Sequence, residues 1–326
     1  MCIRDRNTIG PPGRTKGIGV KNASISFFVL IDCRMKEKIK TGISVLLILI
    51  LLPYVAAVLR TGSMSGTESP PQEQDLEALV AEILPAQMPV QYEEEALKAQ
   101  AVVIRTNLLR QAMDYYGSGT PGEAAQAVRE EDLEQLGFSF YSREEQIRIW
   151  GLEKWEQYEE KCGQAAEETA GQVLSLGGDA GLPEDVPYHA VSAGRTRDGE
   201  AFGELYSWLT PVECPDDLHA SEYLKIQTLE LETVPEILSR DEAGYALEVR
   251  LGGKLLGGEE FRSLYGLNSS NFSAQRWEEG VRITTKGLGH GLGMSLYQAN
   301  LLALDGKQYQ EILQYFYKNA ACISFS

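Results

Sequence analysis

The chain has 326 residues, of which 43% are hydrophobic and 24% charged, a composition typical of globular proteins with one or two domains and a substantial core. Its 30 basic and 47 acidic residues give a net charge of −17, but residues 1–60 hold 10 basic against 3 acidic side chains, so residues 61–326 hold 20 against 44. Because proteins bind nucleic-acid phosphates through basic surfaces, we predict no nucleic-acid partner for this acidic body.

The basic end of the chain contains a pattern typical of a membrane anchor. We predict that residues 1–34, which show no regular period, are a spurious or disordered extension. Residues 35–41 are basic, 42–59 form an uncharged run of 18 residues, and 60–75 form a polar linker. Eighteen apolar residues nearly suffice to span a bilayer, and preceding lysines place the N-terminal side in the cytoplasm. We therefore predict a single-pass cell-membrane protein with residues 76–326 extracytoplasmic; a cleaved signal peptide is the alternative.

Two helices are predicted at the start of this exported region. The first, Leu76–Leu84, is short and amphipathic, and we expect Pro85 to end it. The second runs from about residue 93 to residue 115, with an apolar stripe along one face and further apolar residues on its other faces. A helix that is apolar almost all round is buried on more than one side, so this helix is predicted to form the centre of the domain.

The remaining pattern predicts an acidic insertion, then strands, then helices. Residues 117–170 alternate short acidic helical pieces, among them Ser142–Tyr158. Strands are predicted at 172–176, 188–192, 226–233, 246–251 and 281–285, with helices at 258–265, 294–304 and 307–319. This order indicates an α+β fold in which a mostly antiparallel sheet packs with the long buried helix and the C-terminal helices, preceded by one transmembrane helix.

Glu95 is the candidate catalytic residue of the long helix. It is the last of three consecutive glutamates before the apolar part of the helix. Acidic residues are common in a first helical turn because they offset the helix dipole, and this simpler explanation stays open. Glu95 shares a side with Ala99 and Val102, so a cleft there would desolvate the carboxylate and favour the protonated form that a general acid needs.

Lys98, Gln100 and Arg105 are the polar interruptions of the same helix. Long polar side chains at these positions would either hydrogen-bond the hydroxyl groups of a ligand or pair with carboxylates of the acidic insertion. The residues themselves do not decide between these two roles.

Two later segments combine small residues with histidines. Tyr188–Thr196 is a strand followed by a tight turn in which Ser192 and Thr196 offer hydroxyl groups. In Gly287–Ser295, four glycines alternate with side chains before a helix, which suits a backbone that approaches a ligand or a packed neighbour closely. His290 is therefore either a ligand contact or a buried histidine. The segments lack the motifs of serine hydrolases, dinucleotide-binding proteins and P-loop proteins.

The order of these segments resembles that of the stage II sporulation protein D family. The resemblance covers about residues 76–326, and its first and last motifs are specific when taken together. The family's motifs correspond here to Glu95–Val102, with Arg105 and Thr106, His189–Thr196, Pro211–Asp216, Tyr265–Phe272, and Gly289–Ser295 with Tyr297.

The resemblance implies a peptidoglycan lytic transglycosylase that acts during engulfment, in sporulation, on glycan strands whose stem peptides are removed. Glu95 would protonate the glycosidic oxygen between N-acetylmuramic acid and N-acetylglucosamine and then act as a base towards the muramic C6 hydroxyl, leaving 1,6-anhydro ends. One carboxylate suffices because the nucleophile is intramolecular, whereas hydrolytic glycosidases use a pair. The expected substrate contacts are Lys98, Gln100, Arg105, His189, Ser192, Thr196, His290, Ser295 and Tyr297.

The resemblance also implies partners: a peptidoglycan amidase and membrane scaffold proteins. A non-catalytic, glycan-binding enhancer of the amidase is the main alternative function, and a structural scaffold is another. Two departures favour the enhancer. Ala193-Gly194-Arg195 stands where the family usually has Gly-Gly, and Ser295-Leu-Tyr-Gln298 stands where it usually has Ser-Gln-Tyr-Gly.

Metal ions and cofactors are not expected. Some family members carry a zinc-binding Cys/His cluster after the first helix, but residues 107–161 contain neither residue type. We therefore predict no metal site and no cofactor. The sequence leaves open any disulfide among Cys162, Cys214 and Cys322.

Overall fold

The structure, a computed structural model, describes residues 75–177 and 181–325. The predicted extension, basic segment and apolar run at 42–59 lie outside the described residues. Within residues 75–177 and 181–325, no helix combines the length and apolarity needed to cross a bilayer.

The described residues form an α+β fold, as predicted. The helices are α1 Leu76–Gln87, α2 Glu94–Tyr116, α3 Pro121–Ala127, α4 Arg143–Trp150, α5 Leu152–Glu168, α6 Gly258–Leu264, α7 Leu296–Leu304 and α8 Tyr309–Phe316. The strands are β1 Gln172–Ser175, β2 Tyr188–His189, β3 Leu224–Leu229, β4 Glu236–Arg240, β5 Ala246–Leu251, β6 Lys254–Gly257, β7 Phe272–Trp277, β8 Gly280–Lys286, β9 Met294–Ser295 and β10 Ala321–Ser324.

Helix α2 is the long buried helix that the apolar pattern predicts. Its residues from Ala96 to Leu109 are buried except Lys98, so neighbouring elements cover it on every side. The helix ends where Gly117 adopts a left-handed conformation with φ 68°, which glycine allows at little cost. Six of the fourteen buried residues are Ala or Val, and their small side chains let the neighbouring elements pack close to the helix axis.

Helix α1 is longer than predicted, because Pro85 lies inside it and does not end it. Asp75 caps the N-terminus by accepting a hydrogen bond from the Glu77 amide at 3.0 Å. Pro85 removes one backbone hydrogen bond near the end of the helix. The helix nevertheless continues to Gln87, since Ile83 and Leu84 are fully buried in the core and the Met88 amide still bonds to the Leu84 carbonyl at 3.2 Å.

The strands form four small sheets, so the expectation of one mostly antiparallel sheet is wrong in its architecture, although most of the pairing is antiparallel. The sheets have the orders β1-β10, β2-β9, β3-β8-β7 and β4-β5-β6, and only β2-β9 is parallel. The expected strand at 188–192 is limited to Tyr188 and His189, because the chain then turns at Ser192. Strands β4, β6, β7, β9 and β10 were not predicted.

The apolar side chains form two main clusters in the described part of the chain. The larger surrounds α2 and includes residues of α1, α5, α7 and α8. The smaller lies among β5, α6, β7 and β8 and includes Phe261, Phe272, Val281 and Ile283. The segment predicted as an acidic insertion contributes to the larger cluster through Cys162 and Ala166 of α5. Cys162, Cys214 and Cys322 are free thiols.

Candidate functional site

Glu95 lies at the start of α2, where both of its carboxylate oxygens are occupied. Oε1 accepts a hydrogen bond from Lys98 Nζ at 2.7 Å, and Oε2 accepts one from the backbone amide of Tyr309 at 2.8 Å. Tyr309 is the first residue of α8, so the carboxylate also faces the positive end of a helix dipole. The side chain is 19% exposed. These contacts join α2 to α8.

Lys98 bridges two carboxylates. It lies 2.7 Å from Glu95 and 2.5 Å from Glu168, the last residue of α5. Burial lowers the pKa of Lys98, but hydrogen bonds to Glu168 and Glu95 outweigh that effect, so the pKa is raised. The sequence left two roles open for Lys98. In the structure it pairs with Glu168, a carboxylate at the end of the acidic segment.

Arg105 and Gln100 are fully buried. The Arg105 guanidinium forms an ion pair with Glu77 of α1 and donates to the carbonyls of Gln172 and Ala166, each at 3.0 Å. Arg105 therefore joins α1, α2, α5 and β1, which is a structural role. The amide group of Gln100 has no hydrogen-bond partner among the described residues.

Ser192 and Ser295 meet at a buried carboxylate. Asp217 Oδ2 accepts a hydrogen bond from the Ser192 amide at 2.7 Å and another from the Ser295 hydroxyl at 2.8 Å. All three residues are fully buried, and burial raises the pKa of Asp217. The structure thus brings the two segments together, and their hydroxyl groups face the protein interior.

Thr196 and Tyr297 also have contacts that support the turn. The Thr196 hydroxyl accepts a hydrogen bond from the Val212 amide at 2.8 Å, and Thr196 is buried. The Tyr297 amide donates to the Ala190 carbonyl at 3.1 Å, and its side chain is half-buried. Thr196 is therefore structural, whereas the Tyr297 side chain keeps an exposed part.

The alternating glycines of the last motif allow close packing against other backbone segments. A Cβ at Gly287 would lie 2.8 Å from the Val191 carbonyl oxygen, one at Gly289 2.6 Å from His189 Cβ, and one at Gly293 1.9 Å from the Pro187 carbonyl oxygen. These glycines also have positive φ angles. Of the two explanations that the sequence leaves open, a closely packed neighbour is the one found in the structure.

His189 lies behind this turn as a neutral, buried side chain. Its Nδ1 donates to the Leu292 carbonyl at 2.9 Å, which leaves Nε2 as an acceptor, and Nε2 has no partner within the described part of the chain. Burial, followed by the nearby His290, lowers the pKa of His189 to about 3. The centres of the His189 and His290 rings lie 5.7 Å apart.

We expect acidification to destabilise the protein more than it destabilises a His189→Gln variant. The folded-state pKa of His189 is about 3, against 6.5 for an ordinary histidine, so the unfolded chain binds more protons between these pH values. The contribution of the neutral, buried His189 to the free energy of unfolding is therefore complete above pH 6.5, and it decreases as the pH falls towards 3. At pH 5 the loss is about 2 kcal/mol.

Thermal unfolding between pH 7.5 and pH 4.5 measures this difference. Asp217, whose pKa is raised, has the opposite pH dependence, but it is present in both proteins and cancels in the comparison. His219→Gln changes an exposed histidine and should keep the wild-type pH profile. Equal profiles for wild type and His189→Gln would contradict the expectation.

His290 lies at an open groove with a volume of about 560 Å³. Its Nδ1 accepts a hydrogen bond from the Leu292 amide at 3.1 Å, so the neutral ring carries its proton on Nε2 and can donate it. Burial lowers the pKa of His290, followed by the charge of Arg262. The groove is lined by Gln87, Asn107, Gln111, Leu136, Gly137, Phe138, Asp185, Val186, Pro187, Tyr188 and His290.

The polar groups of this groove are largely neutral. Tyr188 donates to Gln87 Oε1 at 2.6 Å, and Gln87 Nε2 donates to the Ser139 carbonyl at 3.0 Å. Asp185 is the acidic residue among the lining residues, and it accepts a hydrogen bond from the Tyr206 hydroxyl at 2.8 Å. A ligand in this groove would thus meet amide, phenol and imidazole groups and one carboxylate.

His290 is the one predicted site residue that lines this groove, and Glu95 does not line it. Sequence reasoning missed Gln87, Asp185 and Tyr188 as groove residues. Pro85 is the reason in the case of Gln87, because a helix that ends at Leu84 leaves Gln87 in a loop, whereas the observed helix continues to Gln87. Tyr188 adjoined the predicted His189 and offered a weak signal, while nothing in the local pattern distinguishes Asp185 from the other acidic residues.

Comparisons with known proteins agree with the motif order. Residues 65–176 match the family described as Stage II sporulation protein. The chain is 28% identical over 281 residues to Stage II sporulation protein D of Bacillus amyloliquefaciens and, equally, to that of Bacillus subtilis (strain 168), covering 82% of this chain and 78% of each relative. It is 24% identical over 272 residues to an uncharacterized protein of Brachyspira hyodysenteriae, covering 78% of this chain and 68% of that protein. The resemblance predicted from the sequence is therefore confirmed: the chain carries a domain that matches the stage II sporulation protein family, which is involved in sporulation, and most of its length is similar to the two Bacillus proteins.

Proposed function

We propose that this protein binds peptidoglycan glycan strands in the groove at Tyr188 and His290 and, during sporulation, enhances a peptidoglycan amidase without cutting the strands itself. It would do so on the outer face of the cell membrane, anchored by residues 42–59 and assisted by membrane scaffold proteins. The observation that supports this proposal is that uncharged hydrogen-bonding groups make up most of the polar lining of the groove, with Asp185 as its carboxylate, while the carboxylate of Glu95 is occupied elsewhere.

The composition of the groove suits a sugar chain. Glycan strands present hydroxyl and N-acetyl groups, which pair with uncharged donors and acceptors such as the Gln111 amide and the His290 imidazole. Leu136, Phe138 and Pro187 supply apolar walls for the less polar faces of the sugar rings. Recognition by such contacts does not require a basic surface, which agrees with the acidic charge of the body.

The contacts of Glu95 disfavour it as a general acid. A general acid must carry a proton on an oxygen within reach of the leaving group. In Glu95 one oxygen faces the Lys98 ammonium and the other accepts the Tyr309 amide hydrogen. Both oxygens therefore contact donors within the protein, and neither is free to approach the leaving group of a bound strand. The catalytic role of Glu95 stays a prediction.

A lytic transglycosylase is the second candidate function, favoured by the presence of a carboxyl group in the groove itself. Asp185 lines the same groove as His290. In this alternative, one carboxyl group protonates the glycosidic oxygen and then accepts the proton of the muramic C6 hydroxyl, releasing 1,6-anhydro ends. The carboxyl group is that of Glu95 in the original hypothesis or that of Asp185 if the reaction takes place in the groove.

Amidase-treated, peptide-free glycan strands distinguish these functions. We expect wild-type protein to retain the strands in a sedimentation assay and to leave them uncut by mass spectrometry. His290→Gln should weaken retention about tenfold, which corresponds to about 1.4 kcal/mol for the loss of a hydrogen bond to the ligand. His219→Gln is the matched control, since that histidine is exposed and does not line the groove. With intact peptidoglycan, which still carries its stem peptides, added amidase should release peptides faster in the presence of wild-type protein than in the presence of His290→Gln.

Glu95→Gln and Asp185→Asn test the second candidate in the same assay. Each change preserves shape and removes the transferable proton. Anhydromuramic ends that are formed by the wild type and lost in one variant would establish a lytic transglycosylase and identify its acid. Failure of the wild type to bind strands at all would reject both functions for this groove.

A further inference from the structure

One face of the β3-β8-β7 sheet carries large apolar side chains in contact with solvent. Among the residues that the structure describes, strand β3 is at the edge of this sheet and pairs only with β8. Leu224 and Ile226 of β3 are 57% and 64% exposed, and Trp277 of β7 is 41% exposed. Surface patches of this kind mark interaction sites when the residues lie on one face.

The strand register places these residues on a common face. Ile226 pairs with Thr284, which pairs in turn with Ser273, and Thr228 pairs with Arg282, which pairs with Gln275. Successive side chains of a strand point to opposite faces. The alternate residues Phe272, Val281 and Ile283 are buried in the smaller apolar cluster, so Ile226, Thr284 and Arg282 belong to the outward face.

This outward face is basic, in contrast to the rest of the acidic body. Its outward residues on the three strands are Leu224, Ile226, Thr228, Ser273, Gln275, Trp277, Gly280, Arg282, Thr284 and Lys286. Arg282 and Lys286 are the charged residues among them, and both are cations. The Arg282 guanidinium carbon lies 3.1 Å from the centre of the Trp277 ring, which holds this positive charge beside the apolar patch.

A cavity of about 410 Å³ continues the same face beyond the end of β8. Its lining includes Arg240, Asn271, Ser273, Thr284 and Lys286, and it contains no carboxylate. Arg240 is held in place, because its guanidinium donates to the carbonyls of Gly244 and Phe272, each at 2.6 Å. Asp241, the acid whose charge acts on Arg240, is paired with Arg197 at 2.6 Å. The two cations that line the cavity therefore favour an anionic group.

We propose that this face, formed by β3, Trp277, Arg282 and the Arg240–Lys286 cavity, binds an acidic segment of a partner protein that adds a strand to β3. Apolar side chains of the partner would cover Leu224 and Ile226, and its carboxylates would meet Arg282, Lys286 and Arg240. Main-chain hydrogen bonds to an exposed sheet edge supply affinity in this mode, and side-chain pockets supply specificity.

A sugar chain fits this face less well than a protein strand. Sugars commonly stack on exposed aromatic rings, but the Arg282 guanidinium covers one side of the Trp277 ring. A sugar chain has neither a peptide backbone that could continue the sheet at the unpaired edge of β3 nor aliphatic side chains that could cover Leu224 and Ile226. These features favour a protein segment over a glycan strand.

The face adjoins the turn of the candidate functional site. Ala193 lines the Arg240–Lys286 cavity, and its carbonyl accepts a hydrogen bond from the hydroxyl of Tyr223, the residue before β3, at 3.3 Å. Its amide donates to the Tyr245 hydroxyl at 3.0 Å. A partner bound to β3 would therefore contact the segment that holds Ser192.

Two labelled ten-residue peptides test the proposal with the purified full-length protein. In both peptides every second residue is Thr; the remaining positions, which share one face of a strand, alternate Val with Glu in the first peptide and Val with Lys in the second. We expect the acidic peptide to bind in a fluorescence anisotropy titration and to slow the hydrogen exchange of residues 224–229. Ile226→Glu and Arg282→Glu should each weaken binding at least tenfold. The controls Leu255→Glu and Arg250→Glu alter residues on the other three-stranded sheet that are likewise exposed, and both should bind as the wild type does.

Several results would overturn the proposal. Absence of binding, equal binding of the two peptides, or protection away from β3 would each do so. Protection of residues 224–229 by peptide-free glycan strands would assign the face to glycan instead. A concentration-dependent dimer in sedimentation that Ile226→Glu abolishes would assign it to self-association. None of these outcomes depends on whether the groove at His290 binds glycan.

Discussion

Replacement of Arg105 by Met is expected to lower the free energy of unfolding by about 3–5 kcal/mol, the usual cost of leaving one partner of a buried ion pair without its counterion. The Arg105 side chain is fully buried and Glu77 is 13% exposed. Without Arg105, Glu77 keeps the Gly171 amide at 3.1 Å as a partner. The carbonyls of Gln172 and Ala166 also lose a donor, and buried acceptors without donors are costly.

Urea denaturation followed by circular dichroism measures this loss. The matched control is Arg250→Met, which breaks the exposed pair with Glu236, whose side chains are 51% and 63% exposed, and should cost at most about 1 kcal/mol. Combining Arg105→Met with Glu77→Gln should recover part of the stability, since no buried charge then remains unpaired. If Arg105→Met is too unstable to purify, Arg105→Lys provides a milder test. A loss below 1 kcal/mol in Arg105→Met would show that the ion pair does not hold α1, α2 and β1 together.

Gly293→Ala is expected to destabilise the protein by about 2–5 kcal/mol, for two reasons that add. Gly293 has φ +67°, a conformation that costs an alanine about 1–2 kcal/mol. The new Cβ would also lie 1.9 Å from the Pro187 carbonyl oxygen, and relief of such an overlap costs about 1–3 kcal/mol more. That carbonyl has little freedom to move, because it accepts hydrogen bonds from the Met294 amide and the Tyr317 hydroxyl.

Gly306→Ala separates the two contributions. Gly306 has a similar angle, φ +84°, but a Cβ there would meet no atom within 4 Å, so only the conformational cost of about 1–2 kcal/mol should appear. Melting temperatures and urea midpoints of both variants, compared with the wild type, measure the difference. Equal losses in the two variants would mean that the close contact between Gly293 and Pro187 does not matter for stability.

These two predictions concern residues that the sequence marked as functional. Arg105 and the glycine motif both stand out in the sequence, but the structure accounts for them through packing and ion pairing. The groove, in contrast, is lined by residues such as Gln87 and Asp185, which have no unusual sequence signal. Motif residues in this protein therefore maintain the shape of the fold, and they place His290 at the edge of the groove.

The sequence by itself determined those elements whose signal is local. The apolar residues of α2 recur at helical spacing over about four turns, and burial on all sides follows from that pattern alone. The α+β class, helix α6 and strand β5 follow in the same way from the order and period of apolar residues. The resemblance to the stage II sporulation protein D family could also be inferred from the sequence, because its motifs are short and contiguous.

Only the tertiary structure decided which elements meet. Glu95 bonds to Tyr309, 214 residues away, and β1 pairs with β10 near the other end of the chain. Periodicity reports that a face is buried, but it does not report what covers that face. Contacts over such separations depend on the whole chain closing around α2, which is why the occupied state of Glu95, the four separate sheets and the groove at His290 could not be read from local patterns.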